Sequence, residues 1–336
     1  MKIPDKKGKI IGIKEEKPWV EKYRPNSFEE VVSQSIAINT LKEFALSNDM
    51  PHMIFAGPAG TGKTSTALIV AKNVINKRNY YANVLELNAS DTVRMDYVRN
   101  VIKSFVNQNL MLNDNTLKFV ILDEADNIPT QVQQALRRII EKASSNVKFI
   151  LLCNYINKII DPIVSRCAVF RFTNLTKEKI VERLRFIINK EKLQIPQTRE
   201  NKFYNTLFFI SGGDLRKAIN TLQMSVSLEL IDKLDSNEIL KISGFLDDRT
   251  LEELMDAINA KNIHEVKNLF DTIENLDSRN FIRQILERIV DLNIQSDDYN
   301  NLIAFIGDVD YRISQGADDK IQLLALIGQL IRYISS

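Results

Sequence analysis

Short apolar runs in the first half of the chain alternate with segments of helical spacing. Runs of this kind, rich in Ile, Leu, Val and Phe, are typical of strands buried on both faces. Strands that alternate with helices favour a parallel sheet covered by helices on both sides, a three-layer α/β domain. The predicted strands are residues 52–56, 83–88, 118–124, 147–153 and 168–172. The predicted helices around them are residues 64–74, 92–105 and 131–142, and residues 28–46 form a helix-rich segment before the first strand.

After residue 172 the pattern is helical throughout. Gly212 and Gly213 end one predicted helix, and Asp214 is a suitable N-cap for the next. No strand is predicted from residue 237 onward. The predicted helices in this part are residues 176–193, 199–210, 214–228, 250–260, 279–292, 299–315 and 319–335.

The last predicted helix has a wide apolar face. More apolar positions lie on or near one side of it than a single partner helix would cover. A subunit contact and a fully buried core helix both account for this surplus, and the pattern leaves the two open. The positions are Ile321, Leu323, Leu324, Leu326, Ile327, Leu330, Ile331 and Ile334.

Length and charge limit the classes of function. The 336 residues, of which 44% are hydrophobic, can form about two or three domains with their own cores. The 45 basic and 43 acidic residues leave a formal net charge of +2. Such a balance does not by itself indicate a nucleic-acid or membrane partner. Any DNA contact would therefore depend on a local basic patch.

Cysteine and histidine positions argue against a metal centre. The two cysteines, Cys153 and Cys167, and the two histidines, His52 and His264, have no metal-binding spacing, and no disulfide framework is expected. No apolar run is long enough to span a bilayer, and the start lacks a signal-peptide pattern, so the expected location is cytosolic or nuclear. Residues 1–17 are expected to form a flexible, lysine-rich tail, and residues 18–25, with a proline at each end, are predicted to form an extended strap. A solvated tail is favoured, and contact with nucleic acid stays open.

A glycine-rich loop follows the first predicted strand. Gly57 and Gly62 bracket four residues and are followed by Lys63 and Thr64, the G-x-x-x-x-G-K-[ST] spacing of a phosphate-binding loop. The backbone N–H groups of such a loop converge on a polyphosphate at the start of the next helix. Lys63 is expected to reach the β- and γ-phosphates, and the hydroxyl of Thr64 to bind Mg²⁺.

Two carboxylates end the third predicted strand. Asp123 and Glu124 follow an apolar run, and Asn154 follows the next strand. The carboxyl ends of parallel strands meet at one edge of the sheet, beside the phosphate loop. Phosphoryl transfer to water needs charge neutralisation and an oriented nucleophile. We therefore expect Asp123 in the shell of Mg²⁺, Glu124 to orient the attacking water or accept its proton, and Asn154 to position that water.

A series of short segments between residues 18 and 220 matches one family of ATPases in type and order. The segments are PWVEKYRP (18–25), GPAGTGKTST (57–66), LELNASD (85–91), ILDEAD (121–126), ALRRIIE (135–141), CNY (153–155), SRCAVFRF (165–172) and GDLRKAIN (213–220). In these segments the chain resembles the small subunits of replication factor C, the AAA+ ATPases that load sliding clamps. The helical tail is weaker in motifs, although residues 315–323 are similar to the end of the eukaryotic subunit numbered two in yeast and four in humans.

The resemblance implies a role for each matching position. Val20 and Val32 would border the adenine, and Asn154 would be the first sensor. Arg216 would be the second sensor, which reaches the γ-phosphate from a helical lid. Arg166 would project into the neighbouring subunit's site as an arginine finger. The residues that hold the phosphates would be Gly57, Pro58, Ala59, Gly60, Thr61, Gly62, Lys63, Thr64 and Ser65.

The chain also departs from the family's pattern. Ala59 replaces the commoner proline, and Ser33 stands where the family usually has glycine. Residues 92–94 replace the usual acidic-basic-glycine sequence, which leaves the DNA-facing geometry of the next helix open. Three basic residues recur along that helix and are candidates for DNA phosphate contacts, although a solvated helix face accounts for them as well. They are Arg94, Arg99 and Lys103.

The fold implied by the resemblance is an AAA+ P-loop parallel-sheet ATPase domain at residues 18–173, a small helical lid at 174–236 and an all-helical oligomerisation collar at 237–336. The implied function is to couple ATP binding and hydrolysis, with Mg²⁺, to loading of the sliding clamp onto primer-template DNA in replication and repair. The implied partners are the other subunits of a hetero-pentamer and proliferating cell nuclear antigen. A nuclear location is implied, and residues 107–115 are suggested as a clamp contact.

Two alternatives come from other classes of protein. The first is a scaffold subunit that binds ATP without hydrolysing it, and the intact Glu124 and Lys63 argue against it. A DEAD-type RNA helicase is suggested by residues 123–126 alone. Such enzymes need a second α/β core, whereas residues 237–336 are predicted to be helical.

Overall fold

The computed structural model describes residues 3–4, 10–11, 17–32, 34–47, 49–75, 77–89, 100–107, 117–143, 146–230, 235–273, 275–292 and 294–334. The chain forms two compact units. The first comprises Met1–Leu193 and Ser211–Gln223, and the second comprises Gln194–Ile210 and Met224–Ser336.

The strands belong to a two-stranded antiparallel pair, β1 with β2, and to a five-stranded parallel sheet. The strands are β1 (Ile3–Pro4), β2 (Ile10–Ile11), β3 (His52–Ala56), β4 (Val84–Asn88), β5 (Lys118–Asp123), β6 (Val147–Cys153) and β7 (Cys167–Arg171). The order in the large sheet is β4-β5-β6-β3-β7, so β3 lies between β6 and β7. In this register Ile54 is opposite both Leu151 and Val169.

Helices follow most strands and make up almost all of the second unit. They are α1 (Trp19–Lys22), α2 (Ser35–Ser47), α3 (Lys63–Val74), α4 (Tyr80–Asn83), α5 (residues 100–107), α6 (Thr130–Lys142), α7 (Asp161–Val164), α8 (Lys177–Lys190), α9 (Gln197–Ser211), α10 (Leu215–Ser227), α11 (Ser236–Ile242), α12 (Asp248–Asn259), α13 (Ile263–Thr272), α14 (Ser278–Arg288), α15 (Ser296–Ser314) and α16 (Asp319–Tyr333). Short 3₁₀ turns are Phe28–Glu30, Lys77–Asn79, Ala125–Asn127, Ile156–Lys158 and Ile289–Asp291.

The large sheet is buried on both faces, which makes the first unit three-layered. Successive residues of β3 enter different clusters: Met53 and Phe55 pack with the apolar side chains of α2 and α3, whereas Ile54 and Ala56 pack with those of α6. This alternation is the period of a strand. The predicted parallel sheet and helical second half are confirmed.

One local prediction was wrong. Residues 18–25 were predicted to form an extended strap, but residues Trp19–Lys22 form a helical turn. Pro18 precedes the turn with a φ of −50°, and its carbonyl oxygen accepts hydrogen bonds from the amides of Glu21 and Lys22 at 2.9 Å. Proline at the start of a helix loses no hydrogen bond, because the first helical amides have no partner within the helix. The same reason explains why the short helix α7 can begin at the Asp161-Pro162 pair.

Most helices of the second unit contribute to an apolar core. From the last helix, Leu323, Leu326, Ile327 and Leu330 enter this core, whereas Ile321 is 63% exposed. One face of α16 is therefore a core face. Among the described residues, none of the helices combines the length and the hydropathy that a bilayer crossing requires.

The compact units divide the chain differently from the predicted domain boundaries at residues 173 and 236. Helix α8 groups with the sheet, whereas most of α9 groups with the C-terminal helices. The boundaries of the lid and collar at 174–236 and 237–336 therefore stay a prediction.

His52 extends the hydrogen bonding of the sheet by its side chain. Its Nδ1 accepts a hydrogen bond from the backbone amide of Phe149 at 3.1 Å, and its ring packs edge-to-face against that of Phe149. Burial, assisted by the charge of Lys148, lowers the pKa of His52 to about 4. The folded state thus favours the neutral imidazole.

We predict that His52 makes stability depend on pH in a defined window. Because its folded-state pKa lies below the unfolded value of about 6.5, its contribution is present above pH 6.5 and declines as the pH falls towards 4. The expected loss is about 2 kcal/mol at pH 5. Urea unfolding of wild type and His52→Gln at pH 7.5 and pH 5 measures it, since glutamine can accept the same hydrogen bond without titrating. An equal fall in both proteins would contradict the assignment.

Candidate active site

The phosphate loop joins β3 to α3, and Lys63 is the first residue of that helix. The Lys63 side chain is buried, with only 8% of the residue exposed. Its Nζ donates hydrogen bonds to the carbonyl oxygens of Gly57 (2.6 Å) and Pro58 (2.7 Å) and to Oδ1 of Asn154 (3.0 Å). Burial lowers the pKa of Lys63, and the charge of Asp123 opposes this. The loop thus holds a buried ammonium group at its centre.

Thr64 and Asp123 are directly paired. Oγ1 of Thr64 donates a hydrogen bond to Oδ2 of Asp123 at 2.9 Å. The second carboxylate oxygen of Asp123 accepts from the amide of Glu124, also at 2.9 Å. One carboxylate therefore connects the end of β5 to the start of α3.

Glu124 has an unusual backbone conformation. Its φ of 55° and ψ of 38° lie in the left-handed region, which is uncommon for a residue other than glycine. Its Oε2 accepts a hydrogen bond from Nδ2 of Asn127 at 3.1 Å. Such a conformation costs on the order of 1 to 3 kcal/mol and is often found at functional sites.

Asp126 fixes the end of the neighbouring strand. Its Oδ2 accepts hydrogen bonds from the backbone amides of Asn154 (3.2 Å) and Tyr155 (3.1 Å), and the residue is 9% exposed. Asn154 is therefore held by its backbone while its side chain contacts Lys63. No role was predicted for Asp126 from the sequence.

The start of helix α10 lies against the phosphate loop. The amide of Leu215 donates a hydrogen bond to the carbonyl oxygen of Gly60 at 3.3 Å, and Oδ1 of Asp214 caps the helix by accepting from the amide of Lys217 at 3.0 Å. Gly60 has a φ of 68°, and a Cβ there would lie 1.7 Å from Oδ1 of Asp214. The close approach requires glycine, and it places Arg216 in the first turn of a helix that begins at the loop.

These elements enclose one pocket in the first unit. Of the predicted residues, its wall includes Val20, Val32, Ala59, Gly60, Thr61, Gly62, Lys63, Thr64, Ser65, Asp123, Glu124, Asn154 and Arg216. Gly57 and Pro58 take part through their carbonyl contacts with Lys63. The pocket is also lined by residues that were not predicted from the sequence, namely Tyr23, Arg24, Pro25, Val31, Leu175, Leu215 and Ile219. Most of these are apolar and suited to a nucleoside rather than to phosphate.

Arg166 is not part of this wall. Its Nη2 lies 2.7 Å from Oε1 of Glu141, and its Nη1 donates to the carbonyl oxygen of Pro162 at 2.6 Å. The same carboxylate oxygen accepts from Nε of Arg137 at 2.9 Å. The Arg166 side chain is 40% exposed. Glu141 thus holds two guanidinium groups at the surface, outside the chain's own pocket.

The predicted DNA-binding residues are described only in part. Lys103 is exposed on α5. Arg94 and Arg99 lie outside the described residues, as do Ser33, residues 92–94 and residues 108–115 of the suggested clamp contact.

We predict that Gly60→Ala weakens ATP binding by about 10- to 100-fold. The positive φ of Gly60 strains any other residue, and the new Cβ would clash with the Asp214 carboxylate. This carboxylate would have to move together with the start of α10. Titration calorimetry of the chain with Mg-ATP measures the change. Gly316→Ala is the matched control, since its φ of 88° is also positive but nothing lies within 4 Å of its Cβ position. The control should keep its ATP affinity; an unchanged affinity in Gly60→Ala would contradict the account.

The fold and the pocket define an ATPase of the P-loop class. Residues 53–175 match the family model "ATPase family associated with various cellular activities (AAA)", and residues 246–329 match "Replication factor C C-terminal domain". Among solved structures, the RuvB Holliday junction branch migration motor of Thermotoga maritima is similar with a TM-score of 0.53. The match covers 79% of this chain and 91% of that one, and at 16% identity it supports the fold alone.

Relatives over the full length identify the family. The replication factor C small subunit of Sulfurisphaera tokodaii is 39% identical, with 96% of this chain and 98% of that protein covered. That of Sulfolobus acidocaldarius is 38% identical, with 95% and 97% covered. The chain belongs to the replication factor C small-subunit family. It is an AAA+ ATPase and a clamp-loader subunit of DNA replication.

The helicase alternative is excluded by the same findings. A helicase of the DEAD type would need a second α/β core in the C-terminal part. Residues 246–329 instead match a replication factor C domain, and all the elements described from residue 236 onward are helical.

Proposed function

We propose that the pocket binds ATP together with Mg²⁺ and hydrolyses it when a neighbouring subunit supplies an arginine. The observation that carries this proposal is the pairing of Thr64 with Asp123 at 2.9 Å beside the buried ammonium of Lys63. Cation, hydroxyl and carboxylate thus meet at the start of α3, where a triphosphate is held in P-loop ATPases.

The residues present suit Mg²⁺. The hydroxyl of Thr64 and the carboxylate of Asp123 are oxygen ligands of the kind this ion prefers, and Mg²⁺ usually takes its other ligands from water and phosphate. In the part of the chain that the structure describes, no group of three or more His, Cys, Asp or Glu side chains could hold a metal alone. A shared, phosphate-dependent Mg²⁺ therefore fits this pair.

Each side chain has one task in the proposed reaction. Lys63 compensates phosphate charge, and would exchange its present contacts with the carbonyl oxygens of Gly57 and Pro58 for phosphate oxygens. Glu124 accepts a proton from the attacking water, and Asn154 orients that water. Bound Mg²⁺ would neutralise charge on the phosphates and fix their geometry. Arg216 approaches the γ-phosphate from α10.

Arg166 is proposed to act on the neighbouring subunit's ATP. It is absent from the wall of its own pocket, and Glu141 and the carbonyl of Pro162 hold its guanidinium at the surface. A guanidinium held at the surface, with 40% of its side chain exposed, is accessible to an adjoining chain. The arrangement supports action in trans over action in cis.

Hydrolysis is favoured over a scaffold that keeps its ATP. Lys63, Asp123 and Glu124 are all present in the wall of the pocket, and Asp123 is paired with Thr64. Single-turnover hydrolysis of labelled ATP by the assembly tests this. Release of phosphate from this chain's site is expected, and its absence would favour the scaffold.

The finer assignment rests on the sequence resemblance. We infer a hetero-pentamer, proliferating cell nuclear antigen as the clamp, a nuclear location and closest correspondence to the eukaryotic subunit numbered two in yeast and four in humans, on residues 315–323. The relatives compared above are archaeal, so this inference depends on that segment. Co-purification with a clamp ring in the presence of ATP is the test, and capture that is the same without nucleotide would count against it.

DNA binding is proposed to occur through phosphate contacts of Arg94, Arg99 and Lys103. Removal of one phosphate-binding charge reduces the slope of log affinity against log salt concentration by about 0.9 for duplex DNA. Replacing all three with glutamine in the assembled complex should therefore flatten the slope by about 2 to 3. Fluorescence anisotropy with primer-template DNA over a salt series measures it. An unchanged slope would assign these residues to a solvated helix face.

A further inference from the structure

The residues that precede the sheet form one wall of the nucleotide pocket. This segment, residues 18–25, is called the strap here. It contributes Val20, Tyr23, Arg24 and Pro25 to the wall. Together with Leu175 and Ile219, these residues supply mostly apolar surface, in contrast to the phosphate loop around Lys63.

Arg183 of helix α8 is the buried group that holds the strap. Only 7% of the residue is exposed, and its Nη2 donates a hydrogen bond to the carbonyl oxygen of Tyr23 at 2.7 Å. Its guanidinium lies over the ring of Phe186, with 4.8 Å to the ring centroid. The Tyr23 ring packs edge-to-face against Phe186 and against Trp19. Arg183 thus contacts the strap directly through the Tyr23 carbonyl and indirectly through Phe186, against which the Tyr23 ring packs.

Burial of this guanidinium has a cost. Its Nε has no hydrogen-bond partner among the described residues, and a buried unpaired donor is unfavourable. Methionine would fill a similar volume without that cost. What the arginine adds is a directional, charged donor to the Tyr23 carbonyl.

Two further contacts fix the strap at other points. Oε1 of Glu191 accepts hydrogen bonds from the hydroxyl of Tyr23 and from Nζ of Lys22, both at 2.5 Å. Oε1 of Gln223 accepts from the backbone amide of Trp19 at 2.9 Å. The strap is therefore attached to helices α8 and α10, whereas the phosphates are expected at α3.

We propose that Arg183 is a positioning residue for the nucleoside end of the bound nucleotide. By holding the Tyr23 carbonyl it keeps the strap against the pocket, so that the strap contacts base and ribose; Arg183 itself touches neither. This inference rests on the proposed binding of ATP in this pocket. It separates two functions of the site: the loop binds phosphate, and the strap, held by Arg183, binds the nucleoside.

The test compares two ligands on the full-length chain. Arg183→Met should weaken Mg-ATP binding by about tenfold, the equivalent of one charge-assisted hydrogen bond, and leave binding of Mg-tripolyphosphate within twofold of wild type. Arg183→Lys, which keeps a charged donor, should recover part of the ATP affinity. Arg185→Ala, an exposed arginine of the same helix, is the matched control and should bind both ligands normally.

A merely structural role predicts a different pattern. If Arg183→Met loosened the pocket as a whole, it would weaken the binding of both ligands equally, and that result would overturn the proposal. Wild-type ATP affinity in Arg183→Met would overturn it as well. If Arg183→Met does not fold, Glu191→Gln is the second variant, because it loosens the strap at a partly exposed contact. It should weaken binding of Mg-ATP by about threefold and leave binding of Mg-tripolyphosphate unchanged. Failure of wild type to bind Mg-ATP would instead refute the proposed function.

Discussion

Arg166→Ala is expected to leave ATP binding by the chain intact and, in the assembled complex, to slow hydrolysis at the neighbouring subunit's site by about three orders of magnitude. An arginine supplied to a phosphoryl-transfer site stabilises charge that develops in the transition state, so its loss affects turnover more than binding. The side chain lies outside its own pocket and is fixed by Glu141 at 2.7 Å. Steady-state hydrolysis by the chain alone and by the assembly measures the effect.

The control for this prediction is Lys142→Ala. It removes a positive charge next to Glu141 but leaves both guanidinium groups in place. Normal turnover in the control with slow turnover in Arg166→Ala would assign the effect to the guanidinium rather than to local charge. Assembly turnover that is unchanged in Arg166→Ala would refute the role in trans.

Glu124→Gln is expected to reduce the rate of hydrolysis by about 10²- to 10⁴-fold while ATP affinity stays within a few-fold of wild type. Glutamine has nearly the same shape but cannot accept a proton from water. The residue contacts Asp123 through its backbone amide and Asn127 through its side chain, so the substitution should leave the Thr64–Asp123 pair undisturbed. Single-turnover hydrolysis and a nucleotide titration together measure the two quantities.

Two other variants place Glu124→Gln in context. Lys63→Ala removes the buried ammonium and should abolish binding as well as turnover, whereas Glu182→Gln, on the surface of α8, should change neither. A Glu124→Gln protein that hydrolyses ATP at the wild-type rate would mean that another group accepts the proton.

The sheet was predictable because each of its strands is a local pattern. His52–Ala56 and Val147–Cys153 are continuous apolar runs, and the structure has both strands at the predicted residues. The strap was not predicted correctly, because proline disfavours a helix before it but favours one after it. Both prolines were taken to favour an extended backbone, whereas Pro18 stands at the start of a helical turn.

The phosphate-binding half of the site was also predictable, since its residues follow one another in the loop. The nucleoside half was not. Tyr23, Leu175 and Ile219 are brought together only by the fold, and no spacing in the sequence connects them. The contact of Arg183 with Tyr23 spans 160 positions. Nor could the left-handed backbone of Glu124 be predicted, because glutamate has no local preference for it.

The most direct test of a site shared between subunits is to count bound and hydrolysed nucleotides in assemblies that carry Lys63→Ala, Arg166→Ala or both. Lys63→Ala should remove the nucleotide of this chain's own pocket. Arg166→Ala should remove none and make a neighbour's nucleotide slow to hydrolyse. If Arg166 acts in trans, the double variant lacks one nucleotide and hydrolyses a different one slowly. A double variant that behaves as Lys63→Ala alone would show that Arg166 serves its own pocket, and would contradict the account.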